Sequence, residues 1–147
     1  MVILIAREFT VDVPLRTAWD HLAHLEQWPS WARHIKRIDL KPPGQLGLRS
    51  AGVVYLANGI KQTFRITEFR LYENWKWVGR FLWLAVHYDH RFVPLCEKKT
   101  KLVWILAAEG FGAGIFGSLF AKVYGKTLEK AIPLLVSEMT THPRQLE

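Results

Sequence analysis

The chain has 147 residues, 50% of them hydrophobic and 13% aromatic, with a formal net charge of +7. That length suits one domain with a real core, so residues 1–147 are read as one unit. A single cysteine, Cys96, excludes an internal disulfide and a thiolate metal set, and no run reaches the roughly eighteen apolar residues of a membrane span.

The opening Met1–Arg7 stretch has no basic lead-in and too short an apolar run for a secretory signal. The expectation is a cytoplasmic protein whose membrane contact is peripheral at most. Basic residues are spread along the chain and are densest at Glu97-Lys98-Lys99-Thr100-Lys101, which reads as a solvated hairpin turn. With no nucleic-acid-binding motif beside it, the charge is read as sheet surface and no nucleic-acid partner is expected. The oligomeric state is left open by the pattern.

Residues 3 to 13 alternate, with Phe9, Val11 and Val13 on one side and Glu8, Thr10 and Asp12 on the other, which predicts a half-buried strand. Pro14 ends it, and Leu15 to Leu25 reads as a short helix with Leu15, Ala18, Trp19, Leu22 and Leu25 on its apolar face. A second helical piece, Trp28 to His34, has Pro29 suited to a first turn. The tryptophans of these two pieces, Trp19, Trp28 and Trp31, are read as structural.

From Ile35 the period changes to two. Strands are predicted at Ile35–Leu40, Leu48–Ala57, Ile60–Tyr72, Asn74–Arg80, Leu82–Val93 and Lys101–Ala108, with Asn58-Gly59 as a hairpin turn. Within the Ile60 strand one face carries Ile60, Gln62, Phe64 and Ile66, and the apolar set then slips to Phe69 and Leu71, so a bulge is expected near Thr67-Glu68. Gly110 to Met139 closes the chain as a glycine-rich start and a long helix. Phe116, Phe120, Val123, Tyr124, Leu128, Ala131, Leu135 and Met139 form its apolar face, and a kink is expected at Pro133. Seven strands, two short helices and one long C-terminal helix give an α+β order. A long antiparallel sheet curls, and a helix across its mouth leaves a gap that can hold a ligand.

The strand from Leu82 to Pro94 carries the most chemistry. Its apolar face places Tyr88 and His90 among aliphatic side chains, where they either orient a ligand or pack as core. His87 and His90 point to opposite faces, and the His21/His24 pair lacks the glutamate and four-residue spacing of a zinc motif, so no metal is expected. Gly112-x-Gly114-x-x-Gly117 matches a dinucleotide fingerprint in letters only, because no second parallel strand follows. No cofactor is expected. The glycines are read as a bendable start to the helix, a gate at one tunnel mouth.

The residues Pro14-Leu15-Arg16-Thr17-Ala18-Trp19-Asp20-His21-Leu22, Leu25-Glu26-Gln27-Trp28-Pro29-Ser30-Trp31, Trp75-Lys76-Trp77-Val78-Gly79, Asp89-His90-Arg91-Phe92, Thr100-Lys101-Leu102, Glu109-Gly110 and the final helix come in an order that resembles the START-like, or SRPBCC, superfamily. The likeness is nearest its polyketide cyclase/dehydrase-like and lipid-transport branch and covers nearly the whole chain. The resemblance implies a helix-grip fold, a seven-stranded antiparallel sheet wrapped around the C-terminal helix. It also implies a hydrophobic tunnel for a lipid, polyketide or other apolar small molecule.

The tunnel is expected to be lined by Phe64, Ile66, Trp75, Trp77, Leu84, Tyr88, His90, Trp104, Phe116, Phe120, Tyr124 and Leu128, with His90, Tyr88 or Glu68 setting ligand orientation. An alternative is an aromatase/cyclase or dehydratase-like enzyme with His90 and Tyr88 as acid/base groups. A third possibility is a membrane-surface or protein-interaction module.

Overall fold

Alternation along the chain is converted into seven strands. The computed structural model describes residues 1–143. In chain order these form β1 (Val2–Val11), α1 (Leu15–Ala23), a 3-10 helix (Leu25–Ser30), β2 (Ile35–Lys41), β3 (Ala51–Leu56), β4 (Lys61–Arg70), β5 (Asn74–Phe81), β6 (Leu84–Cys96), β7 (Lys99–Glu109) and α2 (Ala113–Thr141). The strands make one sheet in the order β1-β7-β6-β5-β4-β3-β2, every pairing antiparallel. Only β1 leaves sequence order, returning to lie beside β7. The fold is α+β of the helix-grip type, with α2 packed against β1 and β7 and the two short helices inserted after β1.

Boundaries moved where side chains compete with the backbone. His24 leaves the helical region (φ −80°, ψ 71°) and its Nδ1 donates to the Asp20 carbonyl at 2.6 Å, so α1 stops at Ala23 although the apolar period continues to Leu25. The 3-10 helix therefore starts earlier than the period suggests. Strand β3 begins at Ala51, because Ser50 accepts the Gly47 amide on Oγ (2.8 Å) and turns the preceding residues out of the sheet. Leu82 and Trp83 make the β5–β6 turn instead of starting a strand, with Leu82 in the left-handed region at φ 55°. The slip expected near Thr67-Glu68 is a register shift between Ile66 and Glu68.

Helix α2 runs unbroken through Pro133. Its buried line is Ala113, Gly117, Gly125, Leu128, Ala131, Leu135 and Met139, while Val123, expected on that line, is 64% exposed. Val123 is six residues after Gly117 and five before Leu128, spacings that rotate it by about 120–140° from the buried line. Near its C-terminus α2 is tied to the inserted helices: Glu138 Oε1 lies 3.1 Å from His21 Nε2 on α1 and accepts the Ser30 hydroxyl at 2.8 Å.

Where β2, β3 and β4 curl, a side chain is excluded at one position. A Cβ on Gly52 would overlap the Asp39 carbonyl oxygen and approach the Phe64 ring to 2.9 Å. Gly52→Ala is expected to lower stability by about 1–3 kcal/mol, since neither the backbone of β2 nor the buried ring can yield cheaply. Chemical denaturation of the two proteins checks this, and an unchanged midpoint would refute it.

Candidate functional site

Direct register pairs put side chains on the same face of a sheet, and the inner face carries two rungs running across it. One is Ile66–Trp77–Tyr88–Leu106–Ile5, and the other is Phe69–Trp75–His90–Trp104–Arg7. Aromatic residues two apart on β5 thus meet Tyr88 and His90 two apart on β6 and Trp104 on β7. The 3-10 helix supplies the opposing wall. Trp28 lies in this helix and Trp31 is the residue that caps its end, three positions on; their rings lie 5.2 Å apart, with Trp28 5.4 Å from Trp77 and Trp31 6.0 Å from Trp104. Tyr124 and Leu128 of α2 close the space.

The cavity between them is about 30 Å³, bounded by Trp28, Trp31, Trp77 and Trp104 together with Ala32, His34, Ile35, Tyr88, His90, Leu106, Tyr124 and Leu128. Room for one water takes roughly 10–15 Å³ on this measure, so the tunnel is largely filled by its own aromatic side chains. Trp31 and His34 also border a groove of about 330 Å³ between the segment after the 3-10 helix and α2, whose rim carries Arg33, Lys126 and Lys130 above Thr127, Ala131 and Leu134. Cavity and groove share a wall: an apolar interior beside a basic entrance.

The polar atoms inside are neutral. Desolvation lowers the His90 pKa from 6.5 to about 4. Its Nδ1 is 3.3 Å from the Trp75 carbonyl, which can only accept, so Nδ1 carries the proton and Nε2 the lone pair. Burial pushes Tyr88 up to about 12, partly countered by Gln62, whose Nε2 donates to the phenol oxygen at 3.2 Å. That leaves the Tyr88 proton free to donate. Tyr124 is raised by burial in the same way, and His34 is lowered by it. Among the described residues, the buried Trp104 Nε1 has no hydrogen-bond partner, although it sits on the cavity wall. An unpaired buried donor costs free energy until something accepts from it. The site therefore presents one imidazole acceptor and at least two donors within an aromatic box.

Of the residues expected to line a tunnel, Trp77, Tyr88, His90, Trp104, Tyr124 and Leu128 meet at the cavity. Phe64 backs Trp77 at 4.8 Å, Ile66 shares its rung, and Trp75 stacks on His90 at 5.0 Å while its other edge meets Trp19. Phe120 stacks flat on Tyr124 at 5.3 Å. Leu84 lies in a separate small cluster with Ala108 and Ala113, and Phe116 leaves the interior to pack on Trp83. Glu68 is a correction. The shift after Ile66 puts it opposite Lys76 on the outer face, where it accepts from Asn74 at 2.6 Å beside Arg70 and Lys76, away from any ligand in the cavity.

Trp28, Trp31, His34 and Gln62 belong to the site without having been singled out for it. The three-residue spacing around Pro29 was the available signal for the tryptophans; nothing local marks His34. Gln62 shares the alternation of Phe64 and Ile66, and its amide crosses Gly79, where an added Cβ would lie 3.1 Å from Nε2.

By sequence, the profile of the polyketide cyclase/dehydrase and lipid transport family matches residues 3–138. No curated protein matches the chain. Among solved structures, it is similar to a START superfamily protein from Mycobacterium smegmatis (TM-score 0.69, 17% identity, 92% of this chain and 95% of that one). It is also similar to the Zhui aromatase/cyclase from Streptomyces sp. R1128 (TM-score 0.69, 15% identity, 92% of each chain). The protein XoxI from Bacillus cereus gives a TM-score of 0.74 at 8% identity over 96% of this chain and 97% of that one. At these identities the structural likeness establishes the fold alone.

The depressed His90 pKa has a consequence for stability. Unfolding releases the ring to an ordinary pKa of 6.5, so the contribution is complete above pH 6.5 and is lost as pH falls toward about 4, where the folded ring also protonates. Over that window the loss is roughly 3 kcal/mol. Urea unfolding at pH 7 and pH 4.5 should show wild type losing clearly more stability than His90→Gln. Parallel losses would mean that His90 titrates normally.

Proposed function

The chain belongs to the polyketide cyclase/dehydrase and lipid transport family, and from that premise we propose that it binds an amphipathic small molecule of lipid or polyketide type. The rings or chain of the ligand enter the aromatic cavity, and its polar end lies in the basic groove. The observation that carries this reading is the shared wall: Trp31 and His34 border both the aromatic cavity and the groove rimmed by Arg33, Lys126 and Lys130. The groove alone has the volume of a small-molecule site, about 300–1,000 Å³.

Because the cavity is small, occupancy requires side chains to move aside. The Phe120–Tyr124 stack and Trp31 are the movable pieces, since each lies at a boundary with solvent or groove. Burial of flat apolar surface at about 25 cal/mol per Å² drives entry. Trp104 Nε1, the Tyr88 proton and the His90 lone pair then select a ligand bearing a carbonyl or hydroxyl on its buried portion. Cation pairing at the rim favours a ligand whose other end is an anion.

An aromatase/cyclase-like enzyme would use the same His90 and Tyr88. Near neutral pH both are uncharged, with pKa values of about 4 and about 12, far from the match to operating pH that favours proton transfer. The pair is better suited to hydrogen bonding than to acid/base work, so binding is the conclusion.

Titration calorimetry with 1-hydroxy-2-naphthoate and with 2-naphthol tests the reading. Both should bind, the acid more tightly, and Arg33→Glu with Lys130→Glu should remove the advantage of the acid, a loss on the order of tenfold for two charge-assisted contacts. Trp104→Phe should weaken both ligands. Absence of binding by either compound would count against the proposal, as would affinities indifferent to both sets of substitutions.

A further inference from the structure

One end of the molecule exposes a group of large apolar side chains. Phe111 is 89% exposed, Ile115 77%, Leu82 60%, Leu119 58% and Trp83 49%. Their proximity follows from contacts. Trp83 Nε1 donates to the Phe111 carbonyl at 2.8 Å, the Trp83 ring packs edge-on to Phe116 at 4.7 Å, and Ile115 and Leu119 are one turn apart on the outer side of α2. Contiguous exposed apolar surface of this kind marks an interaction site.

Two details show that the patch is built. Leu82 occupies the left-handed region at φ 55°, a turn position that favours glycine or asparagine, and yet presents an aliphatic side chain to solvent. Gly112 holds φ +75° at the start of α2, so the backbone is fixed in the form that projects Phe111 outward.

Charge selects the occupant. From Gly110 to Leu128 the chain has no acidic residue, and its cations are Lys122 and Lys126. These continue the outward line of Ile115 and Leu119 at helical spacing, and both are exposed. Arg80 is exposed on the neighbouring β5 strand; Glu109 is the one acid flanking the patch in sequence. The whole chain carries a formal charge of +7. An apolar tip backed by cations fits a surface that is greasy inside and anionic at its rim. Among the described residues no helix is long and apolar enough to cross a membrane, so such contact would be with one leaflet.

We propose that the end formed by the Leu82-Trp83 turn, Phe111 and the first two turns of α2 docks on anionic lipid bilayers, inserting its apolar side chains while Lys122 and Lys126 meet the headgroups. The proposal stands apart from the identity of any ligand in the cavity.

Trp83 is a built-in reporter. Of the seven tryptophans it alone is exposed; Trp19, Trp28, Trp31, Trp75, Trp77 and Trp104 are buried. Co-sedimentation with phosphatidylcholine/phosphatidylglycerol vesicles should show association that weakens with salt and falls by about tenfold or more in Phe111→Ser with Leu119→Ser, or in Lys122→Glu. Brominated lipid should quench wild-type fluorescence but not that of Trp83→Phe. All substituted positions are exposed, and circular dichroism checks that the fold is kept.

Three results would overturn the proposal. One is failure of wild type to associate with these vesicles at low salt, and another is association that persists undiminished in the Phe111/Leu119 variant. The third is a homodimer that ignores vesicles and dissociates on those substitutions, which would assign the patch to a second copy of the chain.

Discussion

Burial of one continuous aromatic layer is the constraint on which the other features depend. From Trp19 through Trp75, His90 and Trp77 to Trp28, and on through Trp31 to Trp104 and Phe9, each ring centroid lies within 6.0 Å of the next. Such rings bury large areas and tolerate few arrangements. They fix how tightly the sheet curls, where the 3-10 helix sits and how close α2 can come. Among the described residues, polar atoms within the layer are either satisfied locally, as Trp28 is by the Leu22 carbonyl at 2.8 Å, or left without a hydrogen-bond partner, as the indole nitrogens of Trp75 and Trp104 are.

The same layer determines the electrostatics. Imidazole and phenol groups surrounded by indoles are held neutral, so the interior offers hydrogen-bonding groups and shape rather than charge. Cations nearest the cavity lie outside it, at the groove rim formed by Arg33, Lys126 and Lys130. That separation divides labour in the ligand-binding proposal: neutral polar groups orient within, and cations attract at the entrance.

Helix α2 changes character along its length. Its second half is anchored by Leu128, Ala131, Leu135 and Met139 and by the His21–Glu138–Ser30 contacts. Phe120 and Tyr124 pack its middle onto Phe81 and Tyr88, and its first turns touch the sheet through small residues, Ala113 and Gly117, the latter so close to Leu4 that a Cβ would meet the leucine side chain at 2.5 Å. Close approach on one side leaves the larger side chains of those turns facing outward. Helix α2 thus has an anchored half and a half that exposes large apolar side chains, Ile115, Leu119 and Val123.

Period-two alternation, the Asn58-Gly59 turn and the slip before Phe69 determined the strands, their antiparallel order and the bulge, because these are local consequences of side-chain direction and turn chemistry. The chain order of motifs was enough to indicate the helix-grip fold. Tyr88, His90, Trp77 and Trp104 could be placed on an inner face for the same reason. Only the tertiary structure decided that Trp28 and Trp31 fill the tunnel, that Gln62 reaches Tyr88, that His34 joins cavity to groove and that Glu68 turns outward. Those outcomes depend on register across strands and on the distance between layers. No local pattern encodes either quantity, since a shift of one residue exchanges the two faces of a strand.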